Sequence, residues 1–377
     1  MTFKTVEPSI DPENRITFLL DWELTMKCNL DCSYCESSLY GGHDNSTKHP
    51  PLNECLKTID FMFQYVDLYM KTKIHGLKYV ILNVYGGESL HHPHIVTILN
   101  AVHEKYKIYQ SDWQLVITTT TNAIVSEKKL IEIIPLINEF TVSYHVNNTP
   151  KQKEQFRKNL LIIKQHNTRV KCIVLMHPEP KLFDDANNMI SWLTSHDIKH
   201  LPRQLDHSLR KTQFNYDSQQ VVWFDNLYNA KTYRARQHVP ELTVDIDGNT
   251  DLSDSGRACC GGRQLCLDQN YRSREFFVSN KFTDWYCSVN HFFLYIKQVT
   301  GEIFTNKDCK MNFDGDVGAI GTLDHSEDLL DYTRQNLKND TLPAIQCKKS
   351  SCLCGLCAPK SENLATFNTI MKKYQLS

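Results

Sequence analysis

Fourteen of the 377 residues are cysteine, and their spacing carries more chemistry than any other feature of the chain. Three stand together in MKCNLDCSYCE, as Cys28-x3-Cys32-x2-Cys35. Cys55 and Cys172 stand alone, and both read as small buried residues. The other nine lie between Cys259 and Cys357. Disulfide scaffolds are short secreted domains. This chain is long, and Met1 to Pro12 lacks the apolar core of a signal peptide. So many thiols then point to metal. Three thiolates this close can converge on one iron–sulfur cluster. Three ligands for four irons leave one iron open to a substrate or cofactor, as an open position does at catalytic zinc. A zinc knuckle with His43 as fourth ligand is the competing reading. Further along, Cys354-x2-Cys357 is a chelating pair that suits iron or zinc.

From Arg15 to Leu205 strand and helix patterns alternate. Strand patterns cover Arg15–Trp22, Lys78–Tyr85, Trp113–Thr119, Glu139–His145, Arg169–Met176 and Ile198–Leu205. Helical spacing covers Leu52–Lys73, Pro93–Tyr106, Glu127–Asn138, Lys151–His166 and Phe183–His196. Strands separated by helices predict parallel pairing through right-handed crossovers. After Leu205 the chain turns mixed and polar. From Arg257 it is Cys-rich with short strand runs such as Phe292–Val299, and it ends in a helical stretch, Asn363–Tyr374.

A CxxxCxxC loop behind a first apolar strand, with the aromatic Tyr34 inside it, resembles the radical S-adenosylmethionine (SAM) superfamily. Two strand ends extend the resemblance. Tyr85-Gly86-Gly87-Glu88-Ser89 is similar to the family's GGE motif, which meets the SAM amino group. Two glycines let the backbone approach, and a carboxylate or carbonyl meets an ammonium. Thr119 to Ala123 (TTTNA) is similar to the family's TNG, with Ala for Gly, and supplies Asn122. The family places a small polar residue near the ribose, which points to Ser143. It packs apolar groups on adenine, which points to Met176, and Arg203 is a candidate for the SAM carboxylate. All these positions fall at strand C-terminal ends, where parallel α/β sheets build their sites.

The resemblance implies an α/β fold: a partial (β/α)6 TIM-like barrel over 15–210, after an N-terminal extension 1–14. A linker 211–257 and a Cys-rich α+β domain 258–377 would follow. It implies a catalytic 4Fe-4S cluster on Cys28, Cys32 and Cys35. SAM would be cleaved there to a 5′-deoxyadenosyl radical that abstracts hydrogen. The C-terminal cysteines resemble the SPASM and twitch extensions, which carry auxiliary 4Fe-4S clusters. Cys287, then Gly301 in a turn, then Cys309, Cys354 and Cys357 follow the twitch order, with a longer gap before Cys309. Cys260, Cys266, Cys347 and Cys352 are ligand candidates for the same or a second auxiliary cluster.

Lys+Arg is 42 and Asp+Glu is 43, for a net charge of -1, so no generally basic nucleic-acid surface is indicated. No apolar run reaches the roughly 18 residues of a membrane span. The expectation is a cytoplasmic protein with no membrane or nucleic-acid partner, served by an electron donor such as flavodoxin or ferredoxin. His91, His92 and His94 read as exposed loop residues splayed by Pro93. His145 and His177 end strands and face the mouth as acid–base or hydrogen-bonding groups. By resemblance the substrate is a peptide or protein side chain, undergoing crosslinking, oxidation or epimerisation. A small molecule (sugar, nucleoside or cofactor precursor) is the alternative, and a cluster protein that senses without turnover is a third class. Only about fourteen residues precede the first strand, which counts against a leader-dependent peptide enzyme.

Overall fold

The computed structural model describes residues 5–6, 15–30, 32, 34, 48–71, 77–166, 168–205, 214–229, 282–307, 310–338, 344–348 and 360–375. After a short strand β1 (Thr5–Val6), strands and helices alternate. They run β2 (Arg15–Thr25), α1 (Leu52–Lys71), β3 (Leu77–Gly86), α2 (Ile95–Tyr106), β4 (Gln114–Thr121) and α3 (Glu127–Ile133). Then come β5 (Glu139–Tyr144), α4 (Pro150–Gln165), β6 (Arg169–Met176), α5 (Pro180–Ser195) and β7 (Lys199–Gln204). β2 to β7 pair in sequence order, each parallel to the last. Right-handed crossovers then put the helices on one face and reserve the other as a barrel interior.

β2 shows how the two faces separate. Phe18, Leu20, Trp22 and Leu24 bury against the helices, while Asp21 and Glu23 alternate onto the inner face. On α1, Cys55, Ile59, Met62, Val66 and Met70 form the stripe that meets them. Each such side chain, fully buried, contributes about 1.5–3 kcal/mol. Local chemistry sets the helix starts. Thr149 and Gln152 form a reciprocal capping box at α4, with Pro150 in the first turn.

Several boundaries differ from the sequence reading. β2 continues past Trp22 to Thr25, because Glu23 finds a buried partner and keeps the strand in the sheet. Residues 89–91 form a 3-10 turn capped by Glu88, so α2 starts at Ile95 and not at Pro93. The helix expected over Glu127–Asn138 stops at Ile133 and tightens to a 3-10 turn, because Pro135 has no N–H to continue it. Within the expected linker lies a helix, α6 (Ser218–Asn229).

The C-terminal part adds β8 (Tyr286–Cys287), β9 (Phe293–Lys297), β10 (Glu302–Phe304), β11 (Gly321–Thr322), α7 (Ser326–Lys338), β12 (Ile345–Gln346), β13 (Lys360–Ser361) and α8 (Leu364–Gln375). β9 pairs parallel with the free edge of β2, and β10 and β11 follow antiparallel. The large sheet thus reads β11-β10-β9-β2-β3-β4-β5-β6-β7. Gly301, at φ 71, makes the expected turn between β9 and β10. A second sheet, β1-β13-β8-β12, is antiparallel. Its neighbours Phe282, Trp285 and Phe292 pack with Leu19 and Ile81 of the barrel's inner face.

Candidate active site

The loop that carries the first cysteines leaves β2 at Thr25, and the next two strand ends hold it. Gly87 N–H donates to Thr25 O at 2.7 Å, and Glu88 N–H to Lys27 O at 2.9 Å. The two glycines are dictated by this approach. A β-carbon on Gly86, whose φ is +148, would lie 2.0 Å from Thr25 O, and one on Gly87 2.4 Å from Met26 O. At the end of β4, Asn122 Nδ2 donates to Asn29 Oδ1 at 2.7 Å and lies 3.9 Å from Cys28 Sγ. Asn29 in turn donates to Ile124 O at 3.1 Å. Leu30 N–H points at Cys28 Sγ from 3.4 Å. The third cysteine, Cys35, lies outside the described residues. Among those described, no three His, Cys, Asp or Glu side chains converge as a metal site.

Glu88 ties the two strand ends together. Its carboxylate accepts from Leu90 N at 3.1 Å, Thr121 Oγ1 at 2.8 Å and Asn122 N at 2.6 Å. Burial pushes this carboxyl up, against the pull of those three donors. The Glu88 carboxylate thus accepts three bonds from within the chain, which favours the main-chain carbonyl over the carboxylate of the two groups the motif offers to an ammonium. Beside the loop, Leu30, Cys32, Tyr34, Ile124 and Leu205 form a small apolar cluster against which Cys28, Leu175 and Phe214 pack.

No family model and no curated protein matches the sequence. Solved structures do match. Hexahistidine-tagged anSMEcpe with bound S-adenosylmethionine superposes with a TM-score of 0.52 at 11% identity, over 96% of each chain. The same protein with bound S-adenosylmethionine and Cp18Cys peptide gives 0.49 at 11%, again over 96% of each. HemN, the radical SAM coproporphyrinogen III oxidase of Escherichia coli, gives 0.36 at 14%, over 61% of this chain and 55% of its own. The fold is that of the radical SAM partial barrel. The residues present suit the cluster that fold implies. Cys28 packs against the small cluster that contains Cys32, an amide N–H is aimed at the Cys28 sulfur, and the glycine pair lets the β3 end press against the backbone of the loop's first residues.

The other sequence candidates distribute unevenly over the radical SAM barrel. Ser143 is half-buried on β5, and its register partner Ile173 shares a face with Leu175 and Arg203. That is the inner face. Met176 alternates away from it and is fully buried in the helix-side core, so Leu175, not Met176, stands beside the cysteine loop. Tyr34 is buried, and its hydroxyl lies 2.9 Å from His145 Nδ1. His145 is turned to the loop rather than to open solvent, and loss of water pushes its pKa down to about 4. His177 packs edge-on against Phe214 at 5.3 Å. Of the three loop histidines, His92 is fully buried, with Nε2 2.9 Å from Pro50 O, because the 3-10 turn folds it inward. His91 and His94 are exposed as expected.

Sequence reasoning missed two groups. Phe214 and Tyr216 sit in the stretch taken as linker. The Tyr216 hydroxyl donates to Met176 O at 2.6 Å and accepts from Leu205 N at 2.8 Å, lacing β6 to β7. The signal was an aromatic pair, FNY, in polar surroundings. The second group is Glu23, whose carboxylate accepts from the Tyr295 hydroxyl at 2.7 Å. Tyr295 stacks on Tyr85, and Lys307 Nζ lies 5.4 Å over the Tyr85 ring. Burial raises the Glu23 pKa from 4.5 to about 7, opposed by Tyr295 and by Lys297, Lys310 and Lys307.

Of the auxiliary candidates, Cys287 and Cys347 are described, and both are buried. Cys347 follows β12 and exchanges backbone bonds with the β8 turn. Its N–H donates to Trp285 O at 2.8 Å, and its O accepts from Asp284 N at 2.6 Å. Cys260, Cys266, Cys309, Cys352, Cys354 and Cys357 lie outside the described residues. Cys55 and Cys172 are fully buried, as expected, and burial pushes the Cys55 thiol up to about 12.

Proposed function

We propose that the chain is a radical SAM enzyme acting on a peptide or protein side chain. Cys28, Cys32 and Cys35 would hold a catalytic 4Fe-4S cluster, and S-adenosylmethionine would bind at its open iron. When bound, the two supply a 5′-deoxyadenosyl radical that takes a hydrogen atom from the substrate. One observation carries the reading: the ends of β2, β3 and β4 are tied to one another around the cysteine loop, through Gly87, Glu88 and Asn122. The chain's own part is positioning. Gly86 and Gly87 bring main chain against Thr25 to Lys27, the Leu30 amide supports the Cys28 sulfur, and Asn122 braces Asn29. Ser143, Leu175 and Arg203 line the inner face on which the cofactor's sugar, base and carboxylate would rest. The C-terminal cysteines would hold one or two auxiliary 4Fe-4S clusters. A cytoplasmic electron donor such as flavodoxin or ferredoxin would supply the reductant. The peptide assignment is supported by the resemblance of the C-terminal cysteines to the SPASM and twitch extensions.

The test is iron and sulfide per chain on anaerobically reconstituted protein, with 5′-deoxyadenosine formation under dithionite. Wild type is compared with Cys28→Ala/Cys32→Ala/Cys35→Ala. About eight irons falling to four gives one auxiliary cluster, and about twelve falling to eight gives two. Wild type at about four irons and the variant at none removes the auxiliary chemistry and moves a small-molecule substrate ahead. A reduced wild type that forms no 5′-deoxyadenosine would defeat the enzyme reading.

A further inference from the structure

The Cys32 side of the loop faces an imidazole. His145 Nδ1 lies 3.3 Å from Cys32 Sγ and 2.9 Å from the Tyr34 hydroxyl. The Tyr34 and His145 rings are parallel within 4°, with centroids 5.9 Å apart. The strand end that carries the ring is fixed. Tyr144, the preceding residue, is fully buried, and its hydroxyl donates to Asp185 at 2.8 Å. Asp185 pairs with Lys153 at 3.1 Å, and Asn148 N–H donates to His145 O at 3.1 Å. His145 therefore projects from a fixed strand end toward one sulfur.

We propose that His145 donates a hydrogen bond to the Cys32 sulfur of the loaded cluster and thereby holds the cluster's reduction potential up. This rests on the reading of Cys28, Cys32 and Cys35 as cluster ligands. An iron-bound thiolate carries no proton, so the hydrogen in the contact belongs to the imidazole. Nδ1 carries it, with the Tyr34 oxygen as second acceptor, and Nε2 is the bare nitrogen of the neutral ring. A donor to a ligand sulfur stabilises the reduced cluster more than the oxidised one, because the added electron increases the charge on sulfur. The Cys28 sulfur receives a comparable bond from the Leu30 backbone, which no substitution short of proline removes. At Cys32 the donor is a side chain, so its effect can be measured. His145 is a positioning residue in this scheme and acts through the sulfur.

The test is a redox titration followed by electron paramagnetic resonance on the anaerobically reconstituted full chain. The catalytic signal is the one that changes on adding S-adenosylmethionine and is absent from the triple cysteine variant. His145→Phe keeps the ring and removes the donor. Its reduced-to-oxidised ratio at a fixed potential is expected to fall about tenfold, which is about 59 mV for one electron. His145→Asn puts an amide N–H where Nδ1 stands and is expected to restore most of the loss. Tyr34→Phe keeps the imidazole donor and is expected not to lower the potential. Wild-type potentials in both His145 variants at full iron overturn the proposal, as does an equal fall in both, which packing alone would produce. Wild type labelled with 15N-histidine gives a readout free of any folding defect. Pulsed resonance is expected to detect a nitrogen coupling on the catalytic cluster, and its absence overturns the contact. A wild type without a signal responsive to S-adenosylmethionine instead overturns the reading of the cysteine loop, and this proposal with it.

Discussion

Gly87→Ala tests the clamp on the cysteine loop directly. The new β-carbon would stand 2.4 Å from Met26 O, 2.6 Å from Lys27 O and 2.7 Å from Lys27 C. All three are backbone atoms, so no flexible side chain can give way. The loop must move, and the bonds from Gly87 N to Thr25 O and from Glu88 N to Lys27 O lengthen with it. Overpacking costs about 1–3 kcal/mol. Each lost bond costs about 0.5–1.5 kcal/mol. The stiffer unfolded chain returns about 0.4–1 kcal/mol. The net loss is about 1–6 kcal/mol on those figures. Gly318→Ala makes the same chemical change where the nearest atom, Asn312 Nδ2, is 3.9 Å away. It should stay within about 0.5 kcal/mol of wild type. The assay is guanidinium unfolding of the unloaded chain, with iron per chain after reconstitution. Gly87→Ala should unfold earlier and hold about four fewer irons than Gly318→Ala. If the two variants match in stability and iron, the clamp is not what positions the loop.

Ala123 sits at φ 54, the left-handed region, where the TNG motif that this strand end resembles has glycine. The strain there is about 1–2 kcal/mol, and glycine's extra chain entropy offsets about 0.4–1 kcal/mol. Ala123→Gly should therefore raise the unfolding free energy by up to about 1.6 kcal/mol, and a clear fall would contradict the strain. Glu23 should make stability depend on pH. Its pKa is about 7 folded against 4.5 unfolded. The stability it lends is complete below about pH 4.5 and is lost as pH rises through about 7. Glu23→Gln should remove roughly 2–3 kcal/mol of the stability change between pH 5 and 8. An unchanged pH profile would place the titration elsewhere. A chain ending at Asn229 should fail to fold as a stable barrel. It lacks β9 and leaves Glu23 and Trp22 without Tyr295 and Gln298. A soluble monomer with the full chain's unfolding midpoint would refute this.

The frame of the site was legible because apolar periodicity marks β2 to β7, and each motif falls where a strand ends. What periodicity could not fix was parity. Val174-Leu175-Met176 is apolar throughout, as strands of parallel sheets are when both faces are covered. Nothing in that run says which side chain faces the cysteines, and the choice of Met176 fell on the wrong face. Glu23 was hidden for another reason. An acidic residue late in RITFLLDWELT looks like the end of a strand, and its partner Tyr295 is 272 residues away. Glu88 stood out correctly as a residue of the turn, but sequence alone could not say that its carboxylate is spent on Leu90, Thr121 and Asn122. Phe214 and Tyr216 escaped notice because the polarity around them outweighed two aromatic side chains.

The edge of β2 explains why the C-terminal part belongs to the barrel. A parallel strand left at a sheet edge exposes its whole row of amides and carbonyls. β2 is also the strand that aims the cysteine loop, so fraying there would loosen Cys28 and Cys32. β9 removes the problem by pairing Leu19 to Glu23 with Phe293 to Lys297. The pairing is parallel, so the end of β9 lies at the same end of the sheet as the loop. There Gln298 N–H donates to Glu23 O at 3.0 Å, and Trp22 Nε1 donates to Gln298 Oε1 at 2.9 Å. One residue thus holds the main chain and a side chain of β2 just before the loop departs. The segment that follows lays Lys307 over Tyr85, the residue before Gly86. The Cys-rich part and the cysteine loop are therefore joined through two adjacent strands, and a change in either is felt at the site through β2.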